Sequence, residues 1–516
     1  MTRDTRLVER GANITATLAL VIGIVIFAAN NLGNRYFWSD EASSFLTSLG
    51  YPPVGQTAGT LAQSWAANQS HVEPGLFNWL ERFWALGLGS DITTLRLLPF
   101  VFFLVYIACL LLFARLVGAP WFVACAAASL MLLENITPYY ALEFRPTISG
   151  LAASIALPLI AIWLTLRKNV PRGVLLFIPI FIFFGSMQYN SVPIVLGVVG
   201  LLLVATLRTG ALVGKWALRL TALFSLLWLP VVYVLLKGNP FDLAGGDSFG
   251  NIPEAYIPNM PLDVALRTIF TNFFSFTALP RTAFLILLPV LWILKKYPRP
   301  TRESDTREWV VNGLWVVVFL GTASSFALGV LGFIPWILGT RWSITEVGLI
   351  ALSVIGLVGL AVQSKFFGRP SIRVLAAVLS VLVCLTGAFR LANYERTPGY
   401  NWTSALEAVL EAPPGSAYID FWTLPELRYW VEYSGDYDQF REAWIKDPVQ
   451  MAGINDKAGP EEITDFLNSD AKVLVLRSAS LLDEISVPEG VSVQLIESWG
   501  DDPQYSADPP VLLFRD

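Results

Sequence analysis

The sequence predicts a polytopic α-helical membrane protein of about eleven spans with a C-terminal extracytoplasmic α/β domain. Three observations predict it. Of 516 residues, 54% are hydrophobic, the mean hydropathy is +0.57, and only 15% are charged, against about 25% in ordinary soluble proteins. The charge divides along the chain: residues 1–390 hold 27 Lys/Arg and 17 Asp/Glu, whereas residues 391–516 hold 8 and 23. The grammar changes at the same boundary, from long apolar runs to short alternating helix and strand patterns. The apolar content excludes disorder, and the acidic balance argues against a nucleic-acid partner. Cys109, Cys125 and Cys384 sit in apolar runs and read as small core residues.

A hydrocarbon core of about 30 Å needs about 20 apolar residues per helix. Candidate spans are 13–32, 97–117, 120–136, 147–166, 173–187, 191–207, 216–236, 278–295, 309–331, 345–363 and 372–390. Alternate connections are rich in Lys and Arg, from Arg3/Arg6/Arg10 to Lys365/Arg369/Arg373. The positive-inside rule therefore puts the N-terminus in the cytoplasm and the tail outside, in a multi-pass plasma (inner) membrane protein. The first span also has features of a signal peptide, whose removal would leave the tail on the same side.

Residues 1–390 thus read as a transmembrane domain with two long extracytoplasmic loops, 33–96 and 237–277. Each loop contains an amphipathic helix suited to the headgroup plane. In the first, Pro74 opens a helix whose Leu76, Phe77, Leu80, Phe83 and Trp84 share a face, with Glu81 and Arg82 elsewhere. In the second, Pro261 opens a helix with Leu262, Leu266, Ile269, Phe270 and Phe273 at helical spacing. In the soluble acidic domain, 391–516, helices are expected at Thr403–Leu410, Pro425–Tyr433 and Pro460–Asn468. Strands are expected at Ala417–Trp422, Ala471–Arg477, Val491–Glu497 and Val511–Phe514. Asn401-Trp402-Thr403 also fits a glycosylation sequon.

Ionisable residues are expensive at a bilayer centre, and the unusual ones here gather at extracytoplasmic helix ends. Asp40 and Glu41 follow Tyr36-Phe37-Trp38-Ser39 just after the first span. A carboxylate there can take a proton from an attacking hydroxyl or simply serve a helix start. His71-Val72-Glu73-Pro74 contains the chain's one histidine; Glu73 could equally cap the helix that follows. Tyr139-Tyr140-Ala141-Leu142-Glu143-Phe144-Arg145 forms a short outside turn. Arg145 there can bind phosphate or pair with Glu143. Arg341-Trp342 lies outside after the ninth span, as an anion ligand or an interfacial anchor. Carboxylates and cations gathered on one membrane face suit transfer of a group carried on a lipid phosphate.

The ordered set resembles the GT-C superfamily of membrane glycosyltransferases, in particular glycosyltransferase family 39, which includes protein O-mannosyltransferases and aminoarabinose transferases. The Asp40-Glu41 pair, the His71/Glu73-Pro74 segment, the Gly89–Gly118 stretch, the Tyr139–Arg145 turn and Arg341-Trp342 carry it. The acidic tail resembles that of bacterial members. Leu142 stands where the family commonly has Gln, Trp342 where it has Tyr, and Val72-Glu73-Pro74 where it often has Pro-Pro. The resemblance implies an inverting transfer of a sugar from a polyprenyl-phosphate donor to an acceptor glycan, lipid or protein. Asp40 would be the base and Glu41 its orienting partner. Arg145 and Arg341 would bind the lipid phosphate, with His71, Glu73, Tyr139, Tyr140 and Glu143 lining the substrate site. No cofactor is assigned; some family members are proposed to use a divalent metal ion, which is left open here because the sequence offers no strong ligand set. The alternatives are a transporter or flippase of a lipid-linked substrate and a non-catalytic scaffold, although the sequence shows no convincing repeat of the transporter type.

Overall fold

A computed structural model describes residues 3–35, 37–69, 75–133, 136–166, 177–187, 194–201, 212–237, 369–394, 399–420, 423–446, 450–452, 460–483, 485–497 and 509–515, with isolated positions between 261 and 359. The expected spans 278–295 and 309–331 and the expected helix after Pro261 lie outside the described residues, apart from isolated positions in that helix. The chain forms two compact units. One comprises Met1–Asn30, Val72–Phe77 and Pro99–Tyr394; the other comprises Asn31–His71, Asn78–Leu98 and Glu395–Asp516.

The first unit is helical: α1 (Arg3–Asn31), α5 (Ile92–Val117, from Pro99 onward), α6 (Trp121–Met131), α7 (Ile136–Tyr140), α8 (Thr147–Leu166), α9 (Phe177–Gly185), α10 (Leu212–Lys237) and α11 (Pro370–Ala392). The expected spans 13–32, 97–117, 120–136, 147–166, 173–187, 216–236 and 372–390 fall on α1, α5, α6, α8, α9, α10 and α11, though α1 begins ten residues before its expected start and α6 is shorter than expected; of 191–207 residues 194–201 are helical, and 345–363 is described only at isolated positions. Among the described residues, α1, α5 and α11 are long and apolar enough to cross a membrane. On α11 the exposed residues Leu375, Val378, Leu379, Leu382, Leu385 and Phe389 form one stripe, the i, i+3, i+4 pattern of a helix face turned to lipid. Between α5 and α6, Gly118 takes the left-handed conformation (φ 75°) and Pro120 precedes α6, so the chain reverses in three residues.

Helix direction follows from the cross-contacts. Asn13 and Thr17 of α1 meet Phe122 and Trp121 at the start of α6. Arg373 at the start of α11 pairs with Glu9 of α1. At the other end Gly23 lies against Ala388, Gly387 against Ser129, and Asn30 Nδ2 donates to the Ala392 carbonyl at 3.2 Å. So α1, α6 and α11 run parallel. Phe27 stacks near Phe100 and Phe103 at the opposite end of α5 from Gly118, which makes α5 antiparallel to α1. The step from Glu9 to Asn30 is about 30 Å of helix, enough to cross a hydrocarbon core. The chain thus leaves α1 and α11 at the same end of the bundle.

The second unit joins the first loop to the tail. The loop contributes α2 (Ser39–Leu49), α3 (Leu61–Gln69) and the greater part of α4 (Gly75–Leu88). The tail contributes α12 (Thr403–Glu411), β1 (Ala417–Asp420), α13 (Thr423–Glu432), α14 (Asp438–Lys446), β2 (Gln450–Ala452), α15 (Pro460–Asn468), β3 (Val473–Leu476), β4 (Val491–Leu495) and β5 (Val511–Arg515). The five strands make one mixed sheet in the order β2-β1-β3-β5-β4. β1 pairs in parallel with β2 and β3, while β5 is antiparallel to both β3 and β4. The expected tail elements are present; α14, whose apolar residues are interspersed with charge, and β2, only three residues long, are additional. Ile463, Phe466 and Leu467 of α15 pack with Leu474, Leu476 and Leu513 of the sheet. Asp420 ends β1 and caps α13, accepting from the Thr423 backbone N–H and hydroxyl at 3.2 and 2.6 Å. Asn401 Oδ1 accepts from the backbone N–H and hydroxyl of Thr403 (3.2 and 2.7 Å), so in this structure the sequon-like triplet forms the start of α12.

Candidate functional site

Asp40 and Glu41 occupy the first turn of α2. The residue preceding the helix is Trp38, in extended conformation and without a side-chain cap, so neither Ser39 nor Asp40 is the N-cap. Acidic side chains in a first turn are favoured by the helix dipole. Asp40 is half-buried, Glu41 is fully buried, and every later residue of α2 is buried as well. One carboxylate therefore keeps access to solvent and the next is enclosed by protein.

Side chains of α4 hold α2 in place. Ser44 donates to Glu81, 3.0 Å from each carboxylate oxygen. Arg82 donates to the carbonyls of Ser48 and Leu49 at 3.3 and 3.2 Å, and to that of Gly59. The last carbonyls of α2 have no partner within the helix, and a guanidinium satisfies several at once. Burial lowers the Arg82 pKa below its ordinary value. The Gly50 left-handed C-cap (φ 83°) completes the stop, and a Cβ there would lie 2.8 Å from the Ser64 nitrogen. Of the apolar face expected for α4, Phe83 is exposed and Phe77 is buried. Asn78, Glu81, Arg82 and Ala85 are buried too, while Leu86 and Leu88 are exposed. The polar face of α4 points into the protein and the apolar face outward, the arrangement of a helix at an interface with lipid.

The tail also packs on α2. The Tyr429 ring of α13 lies 4.0 Å from Phe37 and edge-on to Phe45 at 5.4 Å, and its hydroxyl donates to the Ser90 carbonyl at 3.2 Å. Arg428 donates to the Pro52 carbonyl (2.8 Å) and pairs with buried Glu432 (2.9 Å), which also accepts from Trp444 and from the Gly55 backbone. Glu426 is buried and accepts from Trp402 Nε1 at 3.1 Å. Burial pushes its carboxyl up to about 8, the negative charges of Glu41 and Asp420 push the same way, and the Trp402 bond opposes them. Glu426 thus keeps its proton to a higher pH than an exposed glutamic acid does.

The aromatic turn lies in the first unit. Tyr139 and Tyr140 close α7 with their rings edge to face at 5.1 Å. Glu143 is fully buried and its Oε2 accepts from Thr147 at 3.3 Å. Arg145 is half-buried, and its backbone N–H donates to the Glu143 carbonyl at 2.7 Å. This turn ends where α8 begins, so the sequence Glu143-Phe144-Arg145-Pro146 sets a fixed entry to a helix. The structure thus groups Asp40 with Glu41, and Tyr139 and Tyr140 with Glu143 and Arg145, each group in its own unit. His71, Glu73 and Arg341 lie outside the described residues. Among the described residues no three His, Cys, Asp or Glu side chains converge as a metal-holding group.

Sequence reasoning missed Glu81, Arg82 and Glu426. A signal for the first two was present: residues 77, 78, 81, 82 and 85 recur at helical spacing. Glu426 carried no local signal, because its neighbour Glu41 is almost four hundred positions away in the chain.

No family model matches the chain, and no curated protein sequence matches it. Among solved structures, the chain is similar to the Archaeoglobus fulgidus oligosaccharyltransferase in complex with zinc and sulfate, with 14% identity, coverage of 89% of this chain and 67% of that one, and a TM-score of 0.49. It is also similar to ArnT from Cupriavidus metallidurans bound to undecaprenyl phosphate, with 11% identity, 97% of each chain covered and a TM-score of 0.48. The apo form of the Archaeoglobus oligosaccharyltransferase follows at 12% identity, 90% and 69% coverage and a TM-score of 0.43.

Proposed function

We propose that this chain is a GT-C-type membrane glycosyltransferase that moves a sugar from a polyprenyl phosphate to an acceptor hydroxyl at the extracytoplasmic face of the plasma membrane. The observation that carries the reading is the pairing of half-buried Asp40 with fully buried Glu41 at the start of a helix otherwise enclosed by protein. A base must reach substrate, and its orienting partner must not move. Asp40 takes the acceptor proton as the acceptor oxygen bonds to the anomeric carbon. The bond from that carbon to the phosphate oxygen breaks, and the configuration inverts. Arg145 stabilises the charge left on the lipid phosphate, with Arg341, His71, Glu73, Tyr139, Tyr140 and Glu143 assigned to the same substrate by the resemblance.

Residues 1–390 form the membrane body in this reading and 391–516 the extracytoplasmic domain. The common exit of α1 and α11 beside Asn30 and Ala392 supports it, since it sends the Asp40 loop and the tail off the same end. Replacing Asp40 by Asn lowers transfer by about 10²–10⁴-fold, the usual worth of a general base, while binding of the lipid donor persists. Full transfer by Asp40→Asn in correctly inserted protein removes Asp40 as the base. Arg145→Ala lowers turnover by about 10²–10³-fold, measured as sugar release from the lipid carrier, and Arg145→Lys restores part of it.

A further inference from the structure

Toward the end of the helical bundle remote from Asn30, three helix ends and the side of α1 surround a cleft of about 430 Å³. It is lined by Glu9 and Asn13 of α1, Arg115 in the last turn of α5, Pro120 and Trp121 at the start of α6, and Arg373 in the first turn of α11. Glu9 Oε1 lies 2.7 Å from Arg373 Nε. Among the described lining residues, one carboxylate thus accompanies two guanidinium groups. Two of the helices, α6 and α11, present their N-termini here, where the helix dipole favours an anion. Arg115 counters the opposite dipole at the C-terminus of α5. Asn13 accepts from the Phe122 backbone and Trp121 donates to Thr17, so α1 fixes the start of α6 and the shape of the cleft. On α5 the exposed apolar residues Leu112, Leu104 and Val101 lie on the same helix face as Arg115, three, eleven and fourteen positions before it. Charge at the mouth and apolar surface directly beside it fit a molecule with a phosphate head and acyl chains.

We propose that this cleft binds the phosphodiester headgroup of an anionic phospholipid, with Arg115 and Arg373 supplying the charge and the exposed apolar face of α5 supporting a chain. The site is separate from the proposed sugar-transfer residues, and it stands whether or not transfer does. Basic pockets between membrane helices are suited to such headgroups. Glu9 sets its strength by competing for Arg373.

The test uses full-length protein in neutral detergent, titrated with phosphatidylglycerol or phosphatidylcholine and read by native mass spectrometry. Phosphatidylglycerol is expected to bind in preference, and Arg115→Gln to weaken it about fivefold, the effect of one arginine near an anionic surface. Glu9→Gln is expected to tighten it by removing the competing carboxylate. Equal binding of the two lipids overturns the proposal, as does an unchanged preference in a folded Arg115→Gln variant. Inorganic phosphate is added as a third arm. If it displaces phosphatidylglycerol at equal concentration, the occupant is a soluble phosphate and the lipid assignment falls.

Discussion

Glu426 shows what a single enclosed carboxyl does to the protein around it. Its ordinary value of 4.5 is raised to about 8 by burial first and by the nearby charges of Glu41 and Asp420 second. Below about pH 4.5 the folded and unfolded chains both hold this proton. Between 4.5 and 8 only the folded chain holds it, so the stability it contributes is greatest in acid, falls as pH rises through the window, and is lost above about 8. Thermal unfolding of the wild type minus that of Glu426→Gln, measured from pH 5 to 9, should therefore slope downward and level off near 8. A flat difference would mean that the carboxyl ionises in the folded protein as it does in water. None of this was legible beforehand. Asp40 and Glu41 stood out because charge is rare near an apolar span. Glu426 lies in an acidic tail where one more carboxylate carries no information, and only the fold brings it near Glu41. Glu81 and Arg82 were visible, set apart from the apolar face of their helix, but nothing in the sequence showed which groups they would bond. At a membrane surface lipid can take that face and the polar side is free to turn inward.

The helices themselves were legible, since a run of apolar residues of the right length has few alternatives in a bilayer. Their partners were not: α1 and α11 are neighbours separated by more than three hundred residues of chain. The contact between them depends on size rather than on pattern. A Cβ added at Gly23 would lie 2.7 Å from the Ala388 Cα, a backbone atom that cannot swing aside, whereas one at Gly11 of the same helix meets nothing within 4 Å. Close helix approach through small residues is how membrane bundles gain dispersion contacts without a hydrophobic driving force. Gly23→Val should force α1 and α11 apart and lower the melting temperature in detergent. Gly11→Ala should be neutral or should stabilise by up to about 1 kcal/mol through helix propensity. Equal melting temperatures for the two variants would show that the glycine contact is not what joins these helices.

Across the whole molecule, the chain alternates between its two units: residues 31–71 and 78–98 fold with 395–516, and the intervening segments belong to the helical unit. The composition boundary near Leu391 therefore does not give the full extent of the second unit. Charge counting finds where water begins but cannot show that an early loop folds with a late tail. Truncation after Tyr394 should leave the long spans inserted and expose the loop around α2 to added protease, with loss of any sugar transfer. Survival of an intact, protected loop in the truncated protein would show that the tail is dispensable to it. The same pairing sets an order on biogenesis. About 300 residues separate the end of the loop from the start of the tail, which at a synthesis rate of ~5–20 residues per second is a delay of roughly 15–60 s. During that interval the faces of α2 that later contact Tyr429 and its neighbours are already made and still uncovered. The loop around the proposed base is translated long before its partners, and it cannot reach its final packing until Arg428, Tyr429 and Trp444 have been made.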